Sequence, residues 1–311
     1  NGVEYKKLKE VASVSIGEFV HKNKQNPNGV YPVYNGGTSN TGFYDEFNRT
    51  ANKIIISARG ANAGFVNRVF VDFWAGNSCY TISVKEKYLD WNFTYYVLKN
   101  SENKLINEQQ KGGIPAVSKK QVEEFYIPLP PLPVQQEIVR ILDNFTELTA
   151  ELTAELTARR KQYEYYRDLL LTFGDDISWC NLEEILKIRN GKDYKSFNVG
   201  NIPVYGSGGI MTYIDTYAYD KPSVLIPRKG SIDKLYYVEK PFWTVDTIFY
   251  TEIYTSKVIP KYVFYCLQKE RLEQYNTAGG VPSLTQTVLN KVKIPVPPIE
   301  EQERIVAILD R

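Results

Sequence analysis

A chain of 311 residues with 43% hydrophobic and 24% charged residues is long enough for two ordinary domains and too apolar to be disordered. No apolar run approaches the roughly 18 residues that cross a bilayer as a helix. The formal net charge of +2 favours no partner by itself, and the three cysteines, Cys79, Cys180 and Cys266, lie far apart without metal-ligand spacing. That spacing predicts buried thiols in a reducing cytoplasm rather than a disulfide or zinc framework.

Residues 1–130 form a first module that closes with Gly112-Gly-Ile-Pro-Ala-Val-Ser and Ile127-Pro-Leu-Pro-Pro-Leu. Prolines at 128, 130, 131 and 133 hold the backbone extended and deny helix to the residues before them, so a helix begins around Pro133. From there to about Phe173 the chain has neither Gly nor Pro, and apolar residues recur in steps of three and four, from Ile138 through Phe145, Leu148, Leu152 and Leu156 to Leu170. Such a helix of about 40 residues is a rod of roughly 60 Å. Its single apolar stripe requires a partner, most simply a helix of the same kind. Within it the tetrapeptide Glu-Leu-Thr-Ala occurs three times without an error, starting at Glu147, Glu151 and Glu155. The plain reading is a stretch of good helix formers; it accounts for the composition but not for the perfect tandem copying.

The remainder repeats the beginning. Gly279-Gly-Val-Pro-Ser-Leu-Thr and Ile294-Pro-Val-Pro-Pro-Ile follow their counterparts by 167 positions, Phe242-Trp243 follows Phe73-Trp74 by 169, and Ile202-Pro-Val-Tyr follows Tyr31-Pro-Val-Tyr by 171. The order never changes and the offset drifts as loop insertions make it drift, so the chain is one unit written twice. The predicted organisation is a module at 1–130, a central helix at 131–175, a second module at 176–297, and the start of a second helix at 298–311. The break after Arg311 predicts that this second helix continues beyond the sequence at hand.

Charge divides along the same boundaries. The modules carry 16 Lys/Arg against 12 Asp/Glu and 15 against 12, while the helical pieces carry 5 against 8 and 2 against 4. Two mildly basic modules on acidic rods suit two contacts on one duplex, although such charges are also common on ordinary domains. Catalytic signatures are missing: the lone histidine is His21, and no phosphate-cradling loop, nucleophile elbow or metal motif is present. The chain reads as having no active site of its own.

Polar loops recur at matching places and supply the candidate DNA contacts. Arg59 and Arg228 lead, with a structural salt bridge as the competing role; Asn35, Ser207, Lys111, Lys119, Lys120, Lys229 and Gln286 follow. Arginine offers a fork to guanine, Asn and Gln pair with adenine, and Lys, Ser and backbone amides hold phosphates. The glycines around them read as turn formers, and Trp74 and Trp243 as core. On the central helix Gln135, Gln136, Arg159, Arg160 and Tyr163 are the candidate partner-docking residues, weighed against a solvated face.

The duplicated module, the Ile127-Pro-Leu-Pro-Pro and Ile294-Pro-Val-Pro-Pro segments each followed by a helix carrying Ile-Leu-Asp, and the tandem repeat in the central helix together resemble the specificity (S) subunits of type I restriction-modification systems. The resemblance covers the whole chain. It implies an α+β fold, in which two similar mixed α/β target-recognition domains are joined and separated by long helices paired as an antiparallel coiled coil. It also implies a non-catalytic subunit that binds double-stranded DNA at a split target, which the dissimilarity of the two modules predicts to be asymmetric. Two DNA methyltransferase (M) subunits would dock on it and bring S-adenosylmethionine for adenine methylation. Restriction (R) subunits, with ATP and Mg, could join; this chain needs no cofactor of its own. Two other readings are the recognition part of a single-chain restriction-methylation enzyme and a coiled-coil scaffold that binds only protein.

Overall fold

The computed structural model describes residues 2–107, 114–174, 176–276 and 279–311. The chain divides into two compact units, Asn1–Thr153 and Ala154–Arg311. In unit 1 the elements are β1 (Glu4–Lys7), α1 (Leu8–Val11), β2 (Ala12–Ile16), β3 (Tyr31–Tyr34), β4 (Gly42–Tyr44), β5 (Lys53–Ser57), β6 (Val66–Val69), β7 (Trp74–Ala75), β8 (Cys79–Val84), α2 (Trp91–Asn100), α3 (Glu102–Asn107), α4 (Lys119–Glu123), β9 (Tyr126–Leu129) and α5 (Leu132–Leu170). They build a four-stranded sheet in the order β2-β8-β5-β6, a three-stranded sheet β4-β3-β7, and the antiparallel pair β1-β9.

Unit 2 follows with β10 (Trp179–Asn181), α6 (Leu182–Ile185), β11 (Leu186–Asn190), β12 (Val199–Gly206), β13 (Gly209–Ile214), β14 (Ser223–Pro227), β15 (Tyr236–Val238), β16 (Trp243–Thr244), β17 (Ile248–Ile253), α7 (Pro260–Glu270), α8 (Gln286–Asn290), β18 (Lys293–Pro295) and α9 (Ile299–Leu309). Its sheets are β11-β17-β14-β15, β13-β12-β16 and β10-β18, which is the topology of unit 1 strand for strand. The sequence repeat is therefore a repeat of fold, mixed α and β in both copies.

The apolar runs Lys53-Ile-Ile-Ile-Ser57 and Ser223-Val-Leu-Ile-Pro227 become interior strands because they are buried on both faces. In unit 1, Ile54, Ile56 and Ile82 of the sheet pack with Phe93 and Leu98 of α2. In unit 2, Val224, Ile226 and Phe249 pack with Tyr262, Val263 and Cys266 of α7, and Leu171 at the end of α5 joins that core. Helix starts have local causes: the Asp90 carboxylate accepts from Phe93 N–H to cap α2, and Pro260 opens α7. Trp74 and Trp243 sit at equivalent positions, each with its indole N–H donated to a backbone carbonyl, of Glu18 at 2.9 Å and Lys192 at 2.8 Å. Burial pushes the thiols of Cys79 and Cys266 up to about 12, which makes them inert packing residues.

The proline segments differ from a free hinge. Pro128 lies opposite Tyr5 and Pro295 opposite Trp179, so each segment is an edge strand paired with the first strand of its own unit. Proline is tolerated there because an edge strand leaves every second N–H without a ladder partner. After them α5 runs 39 residues without a break. Its stripe is covered only near its ends: Ile138 and Val139 pack on the unit 1 core, Leu170 on that of unit 2, while Phe145 is 63% and Leu156 72% exposed. Among the described residues no helix is long and apolar enough to cross a membrane, and no His/Cys/Asp/Glu group could hold a metal ion.

Candidate nucleic-acid interface and the helix roots

Two constellations repeat in both units: a cluster of polar loops beyond the ends of β5 and β14, and the root from which a helix leaves its unit. In unit 1 the loop cluster is laid out by backbone hydrogen bonds. Ala58 N–H donates to Ser78 O (2.8 Å), Gly60 N–H to Pro115 O (2.9 Å) and Val117 N–H to Ala58 O (3.0 Å), and Arg59 forms a β-bridge with Ala116. In unit 2, Arg228 N–H donates to Thr247 O (2.8 Å), Gly230 N–H to Pro282 O (3.0 Å) and Leu284 N–H to Arg228 O (2.9 Å), and Lys229 bridges Ser283. Gly60 and Gly230 both take positive φ, +89° and +80°, where a side chain would be strained.

These contacts fix the correspondence. Arg59 stands where Lys229 stands, and Arg228 stands where unit 1 has the buried Ala58. Arg228 is half-buried, its guanidinium carbon 5.8 Å from the centre of the buried Phe249 ring, a cation–π contact; Arg59 and Lys229 are exposed. No ion pair involves Arg59, Arg228 or Lys229 among the described residues, so the salt-bridge alternative for the arginines has no support there.

The other candidates separate into framework and surface. The side-chain oxygen of Asn35 accepts from Ser78 N–H at 3.1 Å, which holds the loop after β3 against the Ala58–Ser78 contact. Ser207 N–H donates to Thr247 Oγ1 (3.4 Å), and its carbonyl accepts from the Tyr236 hydroxyl (3.2 Å). Asn35 and Ser207 thus lie beside Arg59 and Lys229 in their respective units, engaged mainly in shaping the loops. Gln286 is half-buried and donates to Ile188 O at 3.3 Å, a packing role. Lys119 reaches Glu123 at 3.3 Å one turn along α4, and Lys120 is exposed. Lys111 and the Gly112-Gly113 pair lie outside the described residues.

The helix roots show what the sequence reading missed. Gln135, expected on a docking surface, is 0% exposed. Its amide oxygen accepts from Asp90 N–H (2.8 Å) and its amide nitrogen donates to Tyr88 O (2.9 Å) and Pro130 O (2.8 Å). Gln302 repeats this in unit 2 with Ile259 N–H (2.9 Å), Lys257 O (3.3 Å) and Pro297 O (2.8 Å), also at 0% exposure. One side chain that both donates and accepts ties the first turn of the outgoing helix to the start of the packing helix; glutamine is long enough and carries both functions.

Two turns on, the Asp of each Ile-Leu-Asp motif closes a second contact. Asp143 accepts from Arg68 (2.7 Å) and from the Tyr96 hydroxyl (2.5 Å). Arg68 also donates to Asn92 (2.9 Å) and lies over the rings of Phe70, Tyr95 and Tyr96. In unit 2, Asp310 accepts from the Tyr265 hydroxyl and from Lys261 (2.7 Å). Partial burial pushes both carboxyls up, yet the hydrogen bonds from Tyr96 and Arg68, and from Lys261 and Tyr265, outweigh it and hold both below the usual carboxylate range.

Of the remaining docking candidates, Gln136 is exposed, Arg159 and Arg160 are exposed and paired along the helix with Glu155 and Glu164, and Tyr163, 38% exposed, lies beside Tyr265 in the Asp310 cluster. Tyr163 is thereby part of unit 2's own root.

A family model described as type I restriction modification DNA specificity domain matches residues 1–159 and again 175–311, once on each copy. The chain belongs to that family. It is 31% identical to a protein of Haemophilus influenzae named as a type I restriction enzyme specificity subunit, across 99% of this chain and 87% of that one. It is 32% identical to the Escherichia coli EcoprrI specificity subunit, across 84% and 71%. The crystal structure of a type I restriction-modification S subunit from M. genitalium shares the fold, with a TM-score of 0.70 over 100% of this chain and 90% of that one at 23% identity. Both copies of the loop cluster and of the helix root, Tyr163 apart, lie within the matched segments.

Proposed function

We propose that this chain is the DNA-recognition subunit of a type I restriction-modification complex. The observation that carries this is the match of the specificity-domain family to both copies of the module, each of which has the same topology and the same loop cluster. Each unit reads one half of a split duplex target. Because the two loop clusters carry different residues, the target is asymmetric. The chain performs no chemistry itself: it places partner methyltransferase subunits, which supply S-adenosylmethionine, and restriction subunits, which require ATP and Mg, on the site. The setting is the cytoplasm, where the DNA is.

In this reading the central helix spaces the half-sites, and its uncovered apolar stripe accepts a second helix in antiparallel pairing. Each Glu-Leu-Thr-Ala unit adds about 6 Å and about 40° beyond a full turn. One base pair advances a duplex by about 3.4 Å and about 34–36°, so one unit matches a change of one or two base pairs in spacing. Arg159, Arg160 and Gln136, exposed on that helix, remain the candidate docking residues for the methyltransferase.

The test is a methylation map of DNA from cells that express the gene with its methyltransferase, compared with cells lacking it. A new split adenine motif is the expected result, and its spacing shifts when one Glu-Leu-Thr-Ala unit is deleted. A stable complex that adds no methylation and binds no duplex would refute the reading. A split motif whose spacing ignores the deletion would keep recognition and remove the spacer role.

A further inference from the structure

We infer that the residue preceding the positive-φ glycine, Arg59 in unit 1 and Lys229 in unit 2, is the position that makes the two half-sites chemically different, and that Arg59 reads a guanine. This rests on the DNA-recognition reading above. Four observations carry it.

The first is rigidity. The peptide on either side of Arg59 is held by Ala58 N–H to Ser78 O, Gly60 N–H to Pro115 O and the bridge to Ala116, and Lys229 is held by the same set in unit 2. A side chain that discriminates bases needs a fixed origin, because its hydrogen bonds are tested to within fractions of an ångström. The second is direction. The preceding residue points inward in both units, Ala58 at 2% exposure and Arg228 over Phe249, so alternation along the extended backbone sends the next side chain outward.

The third is clearance. A Cβ built on Gly60 would meet nothing within 4 Å, so the glycine is not demanded by packing around it; its φ of +89° is what excludes a side chain. The result is bare backbone beside an exposed cation. The fourth is the absence of a competing role. Arg68 and Arg189 are each engaged by a carboxylate, of Asp143 and Glu252, whereas Arg59 and Lys229 have none among the described residues.

Chemistry separates the two. The planar guanidinium presents two parallel N–H donors that match O6 and N7 of guanine on the major-groove edge. An ammonium is a point charge whose donors rotate, and it serves a phosphate or a single acceptor equally well. Unit 1 therefore requires a guanine where unit 2 accepts a looser contact at the matching place. Arg228, despite being arginine, is turned onto Phe249 and does not substitute.

The experiment uses the full chain co-expressed with its methyltransferase and reads methylated motifs across a genome for wild type, Arg59→Ala, Arg59→Lys and Lys229→Arg. Wild type is expected to require guanine at one position of one half-site. Arg59→Ala and Arg59→Lys should relax that position alone, raising methylation at sites with other bases there by roughly tenfold or more, with the second half-site unchanged. Lys229→Arg should sharpen a guanine preference in the other half. An even loss of methylation at all sites with the motif intact means a phosphate contact and overturns the inference, as does an unaltered motif in the two Arg59 variants. A wild type that yields no split motif removes the recognition reading and this inference together; the first two outcomes remove the inference alone.

Discussion

Gln135 and Gln302 make the same three hydrogen bonds at the roots of their helices, and Asp143 and Asp310 each meet a tyrosine hydroxyl and a cation. At the loop clusters the two units share a backbone and part company in side chains, Arg59 against Lys229 and Ala58 against Arg228. The contrast separates two demands on one fold. The root must hand a helix out at a fixed angle, so its hydrogen bonds are the same in both copies. The loops need only the same backbone, and chemistry varies on it. Within the root there is also a graded difference: unit 1 uses an arginine 14% exposed under three rings, unit 2 a lysine 31% exposed.

The sharpest way to break the comparison is at the glutamines. Gln135→Ala strands a buried N–H and two carbonyls, and should cost about 3 kcal/mol locally. Hydrogen exchange resolved by peptide should show faster opening of α2 and the first turns of α5, with unit 2 unchanged. Gln302→Ala should mirror it in α7 and α9. If either glutamine is dispensable, the roots are not equivalent. Next in size, Arg68→Ala should cost about 2 kcal/mol, because a charge-assisted pair and its stacking are lost together. Lys261→Ala should cost less than about 1 kcal/mol, since its pair is partly solvated.

Acid sharpens the same contrast. Asp143 and Asp310 titrate below the ordinary carboxylate range, so the stability they contribute is present above about pH 4 and is lost as pH falls through their folded values. The gap in urea midpoint between wild type and Asp143→Asn should therefore be widest near neutrality and narrow as the pH falls through the depressed value; a gap that widens in acid would show the sign to be wrong. The smallest effect lies between the roots. Leu152 is 57% exposed, and Leu152→Ala should change the stability of the isolated chain by no more than about 0.5 kcal/mol, measured by urea unfolding. A larger loss would mean that its stripe is already covered.

Much of the fold was legible because the chain carries its own comparison. Two copies drifting in offset exposed the module, the proline segments and the long helix, and the proline restriction placed the helix start within a residue or two. Gln135 was not legible. Helical periodicity assigns a polar residue to the solvent side, and nothing local signals that its amide closes on the carbonyl of Pro130 and on a backbone 45 residues earlier. The signal available was its recurrence as Gln302 behind the second proline segment. The match of Arg59 with Lys229 was legible in part, since each precedes a glycine, Gly60 and Gly230; the bridges to Ala116 and Ser283 then place the two residues at the same point of the fold.

The pairing of β1 with β9 and of β10 with β18 has a consequence for how such chains can change. Each unit is sewn shut at its neck, its first and last strands running side by side, Tyr5 opposite Pro128 and Trp179 opposite Pro295. The sheets and the loop cluster of each unit hang inside that seam as a single closed loop of chain. A crossover that falls in the two seam strands would exchange the whole interior for another of any length while keeping the path of the chain into the helix beyond it. The seam makes the module a transplantable part: a graft cut at Lys7 and Tyr126 should keep the helix root's contacts only if the incoming piece supplies its own equivalents of Tyr96, Arg68 and the backbone N–H of Asp90.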